Sequence, residues 1–301
     1  MFSILVVGSS SSVLLAQPKP ESEEALGGVS ASATTNDSGV AGIVPYTKGF
    51  NASLVTSSQH DASSGWSSAF TPIVAYRLNR YLSGDASVPI YAYMNVYTNV
   101  GTTAKPVYAY IAKNGAVGDT YLSFHGDVNF WTVDYDGTIS LGLPSGNTSY
   151  GLGAGQVTFN INNHFEKAFG FFTPDVELGY GDSSSLVNQA IRKDYISVGP
   201  LAHFQAGATF DLPFNMTFEA EAYEELPLAT DIVYSTTGKG KKKKTTATNV
   251  GPAEDNGFTT NLDIPVQRHV TLSGFYSRSL RDHDDVAGFS LTFLLKAPPK
   301  E

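Results

Sequence analysis

Residues 119–131, DTYLSFHGDVNFW, separate cleanly when read two at a time. Leu122, Phe124, Gly126, Val128 and Phe130 fall on one side, and Tyr121, Ser123, His125, Asp127, Asn129 and Trp131 on the other. A period of two is that of a β-strand, and this one is longer than the average globular strand, with a wholly polar second face. Such a ribbon suits lipid on one side and water on the other.

The pattern repeats from Lys48 onward and predicts twelve strand segments: 48–58, 65–78, 81–96, 117–131, 134–145, 153–165, 168–182, 194–211, 213–225, 256–267, 269–280 and 285–296. Each is near the ten or so residues that a tilted membrane strand needs. Between them, tight connections are expected at 79–80, 132–133, 166–167, 212–213 and 268, and longer ones at 60–62, 99–116, 146–152, 183–193, 226–255 and 282–284. Alternating short and long connections predict an all-β fold: a transmembrane antiparallel up-and-down barrel of about twelve strands, with both termini on the periplasmic side.

Aromatic residues on the apolar face mark two expected membrane interfaces, since aromatic side chains gather where hydrocarbon meets headgroups. Tyr76, Phe130, Phe165, Phe210 and Phe214 lie toward the tight turns, and Phe70, Tyr180, Phe258, Tyr276 and Phe289 toward the long loops.

Composition narrows the picture. Of 301 residues only 16% are charged, below the roughly 25% of soluble proteins, while 12% are aromatic. No apolar run reaches membrane-helix length, so a bilayer span must be a closed sheet. Cysteine is absent, which removes disulfides, thiolate metal sites and cysteine nucleophiles together. The formal charge of -9 argues against nucleic acid as a partner. The one basic run, 239–244, sits among Gly and Thr as a solvated loop tip.

Residues 1–16 combine two short apolar runs with a Ser stretch and read as a signal peptide for export. Residues 17–46 lack any period and read as a flexible periplasmic segment, followed by the barrel over 47–297.

The polar face supplies the candidate chemistry. Parity turns Arg77, Asp85, Ser123, His125, Asp127, Asn129, His164, Asp175, Glu177, His203, Gln205, Asp211, Glu219, Glu221 and Asp263 inward. Acids outnumber fixed positive charges there, which predicts a narrow lumen of negative potential. Ser123, His125 and Asp127 resemble a hydrolase triad in composition alone. Successive same-face strand residues stand about 6 to 7 Å apart, too far for the contacts such catalysis needs. No G-x-S-x-G elbow is present, and the glycines at 151, 153 and 155 precede a strand rather than the helix a dinucleotide site requires. No enzyme activity, cofactor or metal is expected, lone histidines in a polar lumen being more often hydrogen-bonded than ligating.

Val117, Gly118 and Asp119 opening one strand, the 141–146 stretch LGLPSG closing the next, the 151–155 loop GLGAG, Asn163-His164-Phe165 and the stretch 174–181 together resemble the outer-membrane barrels of the phenol-degradation MetA-type transporter family. The similarity runs from about residue 49 to 295. It implies a barrel fold in a Gram-negative outer membrane and a channel or uptake role for small aromatic or apolar solutes. Outer-membrane lipid and the outer-membrane assembly machinery are the expected partners. The runner-up is a structural or adhesion barrel with a closed interior, whose 226–255 loop meets other surfaces.

Overall fold

The computed structural model describes residues 48–62, 65–100, 107–130, 132–147, 152–153, 157–182, 200–228, 231–237, 244–250, 254–281 and 283–296. The expected signal peptide 1–16 and segment 17–46 lie outside the described residues.

Every expected segment contains a strand. β1 (Gly49–Asp61) pairs along its whole length with β2 (Gly65–Arg77), and β2 passes to β3 (Leu82–Ser87). From β3 the wall continues through β7 (Thr120–Phe130), β8 (Val133–Leu143), β9 (Thr158–Glu166) and β10 (Phe172–Asp182). It then runs through β11 (Pro200–Leu212), β12 (Met216–Pro227), β15 (Asp255–Gln267), β16 (Val270–Ser279) and β17 (Asp285–Leu294). β17 pairs with β1, so the sheet closes on itself as a twelve-stranded antiparallel barrel. Closure gives each of the twelve wall strands a neighbour on both sides, which is the condition for a sheet to stand in lipid.

The expected strand 81–96 is broken at Val88 and Pro89, giving β3 and β4 (Ile90–Asn99). Pro89 has no N–H to give, and neither does Pro72 on the facing stretch of β2. Hydrogen bonding is kept by Val88 N–H donating to Pro72 O at 3.4 Å and by Gly118 N–H donating to Pro89 O at 2.9 Å. Beyond the break β4 pairs with β5 (Tyr108–Lys113) and with β6 (Ala116–Val117), inside the stretch 99–116 that the sequence pattern marks as loop. Tyr91, Met94, Val96, Ala116 and Ala69 bury one another there, and Leu152 packs against them. A second pairing inside an expected loop joins β13 (Asp231–Thr237) to β14 (Lys244–Val250), and the intervening residues of the basic run lie outside the described residues.

Connection lengths alternate less strictly than the sequence suggests. The 62–64 connection after β1 is shorter than the 78–81 and 167–171 connections, because β1 and β2 pair up to Asp61↔Gly65. At the β11–β12 corner, Pro213–Asn215 forms a 3-10 turn in which Phe214 and Asn215 have positive φ. Phe214 therefore belongs to the turn and is 89% exposed, and the strand begins only at Met216.

Burial is inverted relative to a soluble sheet protein. The buried set holds more polar residues than apolar ones, among them Asn51, Gln59, His125, Asp175, Glu177, Glu219 and Glu221. Phe124, Phe130, Phe165, Val176, Leu178, Phe204 and Phe289 are exposed on the opposite face. Water-soluble folds bury the second group and expose the first, whereas a barrel with a lipid-facing exterior does the reverse.

Candidate functional site: the acidic inner face

Residues paired across adjacent strands share a face of the sheet. Two chains of pairings run across the wall. Asp127 faces Asp136, which faces His164, then Glu177, then Gln205. One step along, Asn129 faces Asp134, then Glu166, Asp175, Gly207 and Glu221. Arg77 and Asp85 join this face through Ser83 and Ser123. His203, Asp211, Glu219 and Asp263 join it through Glu225, Thr217, Thr209 and again Thr217. The fifteen polar residues singled out by parity therefore stand on one face, the one that holds the buried carboxylates. Asn129 and Asp211, near strand ends, are exposed.

One cluster spans β2, β3, β7 and β8. Arg77 Nη2 lies 2.9 Å from Asp127 Oδ2, and its Nη1 donates to Arg80 O at 3.1 Å. His125 Nε2 lies 2.7 Å from Asp85 Oδ2, and His125 Nδ1 lies 2.9 Å from Thr138 Oγ1. Thr138 Oγ1 also donates to Asp136 Oδ1 at 2.9 Å. A hydroxyl has one hydrogen, so with it given to Asp136 the ring nitrogen is the donor to Thr138. Ser123 Oγ meets Ser140 Oγ at 3.0 Å, and Asn129 donates to Asp134. Ser123, His125 and Asp127 thus each turn to a different partner, and no serine–histidine–aspartate relay is assembled.

The second cluster spans β9 to β12 with β15. His164 sits 3.7 Å from Glu166 and 4.0 Å from Glu177, while His203 Nε2 sits 3.5 Å from Glu177 and 3.0 Å from Gln205 Oε1. Gln205 and Thr259 both donate to Glu221 Oε2. Asp175, Glu219 and Glu221 bring carboxylate oxygens within 4.8 Å of one another. The metal-competent group among the described residues is therefore made of carboxylates and includes none of the histidines.

Several members of these networks fall outside the candidate set read from parity. Glu225 lies 3.9 Å from His203 Nδ1, and it continues the Glu219, Glu221, Tyr223 row at the last position of its expected segment. Asp136 and Thr138 become legible once β7 and β8 are set in register. Asp255, which accepts from Tyr223 and Ser279 at 3.0 and 2.6 Å, stands in an expected loop that proves to open β15.

On the outer face, Phe172, Phe210 and Phe218 lie side by side on β10, β11 and β12, with ring centroids 5.3 and 6.4 Å apart. Phe258 and Tyr276 pair at 5.8 Å, and Tyr180 pairs with Phe159 at 5.6 Å. Tyr76 stacks against Phe50 at 4.6 Å, and Phe165 against Tyr135 at 5.0 Å. Phe70, Phe130 and Phe289 are exposed on the same face.

A closed twelve-stranded antiparallel barrel with exposed apolar side chains on one face and buried polar ones on the other is an outer-membrane β-barrel. No family model matches the sequence, and no curated protein matches it. Among solved structures the chain is similar to an outer membrane channel from Pseudomonas putida F1, at 11% identity and a TM-score of 0.52, covering 84% of this chain and 98% of that one. Its likeness to the NanC porin is 8% identical, with a TM-score of 0.49 over 80% and 98% of the two chains. The Pseudomonas putida toluene transporter TodX gives 7% identity and a TM-score of 0.47 over 90% and 94%. At such identities the likeness is one of fold.

Proposed function

We propose that the protein is an outer-membrane channel through which small solutes pass along a narrow, acidic, polar interior. The observation that carries this reading is the concentration of carboxylates and histidines on one face of a closed barrel, among them Asp85, Asp127, Glu177, Glu221 and Asp263. A wall lined by one sign of charge raises the local concentration of cations and repels anions. The fold shared with an outer membrane channel supports the same class. The resemblance to phenol-degradation transporters supports aromatic or apolar solutes as cargo. The exposed aromatics at either end of the strands act as membrane-interface anchors, and both termini face the periplasm, to which residues 1–16 direct the chain. A non-enzymatic role fits this reading, with both nitrogens of His125 taken by Asp85 and Thr138.

Single-channel conductance in planar bilayers with swapped salt ions tests this reading. Discrete openings with cation preference are expected, and an absence of conductance or a preference for anions overturns it. The dense pairing of the inner face, together with Leu152 packed on the Tyr91–Met94–Val96 cluster, favours a second reading: a closed structural barrel. Solute-dependent swelling of proteoliposomes supports the channel, and none supports the closed barrel.

A further inference from the structure

Three inward carboxylates meet where β10, β11 and β12 run side by side. Asp175 stands opposite Gly207, Gly207 stands opposite Glu221, and Glu219 is the next same-face residue on β12. Gly207 lets the Glu221 side chain lie across it toward Asp175, since a methyl group there would lie 2.5 Å from Glu221 Cγ. One oxygen from each of the three carboxylates falls within 4.8 Å of the other two, and all three residues are buried. Glu221 is faced by the acids Glu219, Asp175 and Glu177, and Asp175 by Glu166 and Glu221, with His164 beside it. Arg77, the fixed positive charge on β2, is engaged by Asp127.

Clustered acids can share protons, so proximity alone requires no ligand. The independent observation is at Asp175. Its residue is 7% exposed, and its Oδ1 meets no donor at hydrogen-bond geometry among the described residues, the polar neighbours of the carboxyl being Glu221, itself an acid, and the Gly207 backbone. A carboxylate oxygen cut off from both water and N–H or O–H groups is costly, and buried polar atoms in native folds nearly always have a partner. Glu221 shows a related imbalance, because its donors Gln205 and Thr259 converge on the single atom Oε2.

We propose that Asp175, Glu219 and Glu221 bind a divalent cation of the calcium class within the barrel interior. The donors are all hard oxygens, which exclude soft metals by preference. Calcium takes oxygen ligands at about 2.3 to 2.6 Å in flexible geometry, so opposite ligands of one ion lie about 5 Å apart. Oxygens that all lie within 4.8 Å of one another fall inside that span. Magnesium demands near-ideal octahedral geometry at about 2.0 to 2.1 Å and keeps several of its waters, which three carboxylates fixed on β10 and β12 suit less well. Water completes the coordination. The ion offsets the crowded negative charge and bridges β10 to β12 across β11, fastening three neighbouring strands. The site goes beyond the channel reading and does not depend on it, since ion binding and barrel stability are measured without any transport assay.

The full chain, folded in detergent and stripped with a chelator, is titrated calorimetrically with calcium chloride and, in parallel, with magnesium chloride. One calcium per chain is expected, preferred over magnesium and weakened at least roughly tenfold in Asp175→Asn and in Glu221→Gln. Calcium should raise the temperature at which the folded, fast-migrating band is lost in the unsubstituted protein, and should do so less in either variant. Heat-modifiable migration checks that each variant folds. If one does not, the other reads the same ligand set, and the stoichiometry and metal preference of the unsubstituted protein stand by themselves. No saturable calcium binding overturns the proposal, as does equal or tighter magnesium binding, or calcium affinity unchanged in a folded variant.

Discussion

His125 on β7 and Asp85 on β3 meet at 2.7 Å through Nε2 and Oδ2, with both side chains buried. The contact is diagonal, because Asp85 stands directly opposite Ser123 and His125 opposite Ser83. Thr138 and Asp136 continue the line into β8, so one hydrogen-bonded chain ties three strands together. Removing one member strands the others. His125→Ala should destabilise the barrel by about 1 to 3 kcal/mol, the cost of leaving a buried polar group unsatisfied. Ser123→Ala, on a partly buried hydroxyl pair, should cost less. Urea unfolding in lipid vesicles measures both, and a cycle with Asp85→Ala should be strongly non-additive. Additive losses would mean that the pair does not act as a unit.

Glycines on the two faces should differ. At Gly207 an added methyl group would lie 2.4 Å from Ala220 O and 2.5 Å from Glu221 Cγ, so backbone of the next strand would have to shift. At Gly126, on the outward face, the nearest atom would be Gly137 O at 3.8 Å. Gly207→Ala should lower the yield of heat-modifiable folded protein, and Gly126→Ala should leave it unchanged. Equal behaviour would contradict the close approach of β11 and β12.

Charge on the outer wall tests the lipid-facing assignment. Phe124 is 58% exposed mid-strand, and its cross-strand partner Ile139 is also exposed. Phe124→Lys should cost about 2 to 4 kcal/mol in a bilayer, the range for a basic residue near the membrane midplane. Asn129→Lys, on the polar face near the strand end, should cost well under about 1 kcal/mol as a surface substitution. Vesicle unfolding compares the two, and equal costs would place Phe124 away from hydrocarbon.

Arg77 bears on selectivity. It stands 2.9 Å from Asp127 on the polar face of the wall. Arg77→Gln removes a fixed positive charge and leaves the negative charge of Asp127 uncompensated by it. If solutes pass this point, the reversal potential under a potassium chloride gradient should move further toward cations. A shift toward anions would contradict the acidic-interior reading.

The sequence alone determined the strands of the barrel wall and which residues share a face, because a strand's side chains alternate with period two and each polar or apolar choice reports a face directly. Leu122 to Phe130 and Ser123 to Asn129 were separable on that basis, and so were Glu219 and Glu221. Register is invisible to that rule. It depends on where each connection closes, and several of them departed from the expected positions or forms, among them 62–64, 78–81, 167–171 and the 3-10 turn at Pro213–Asn215. The β4–β5 pairing was missed because it extends a hairpin past a proline break, and its partners are chosen by long-range contact among Ala69, Tyr91, Met94 and Leu152. Only register could show that His125 turns to Asp85 and Thr138 rather than to Ser123. Only register could bring Asp175 to Glu221 across Gly207, residues far apart in the chain that a single closed wall sets side by side.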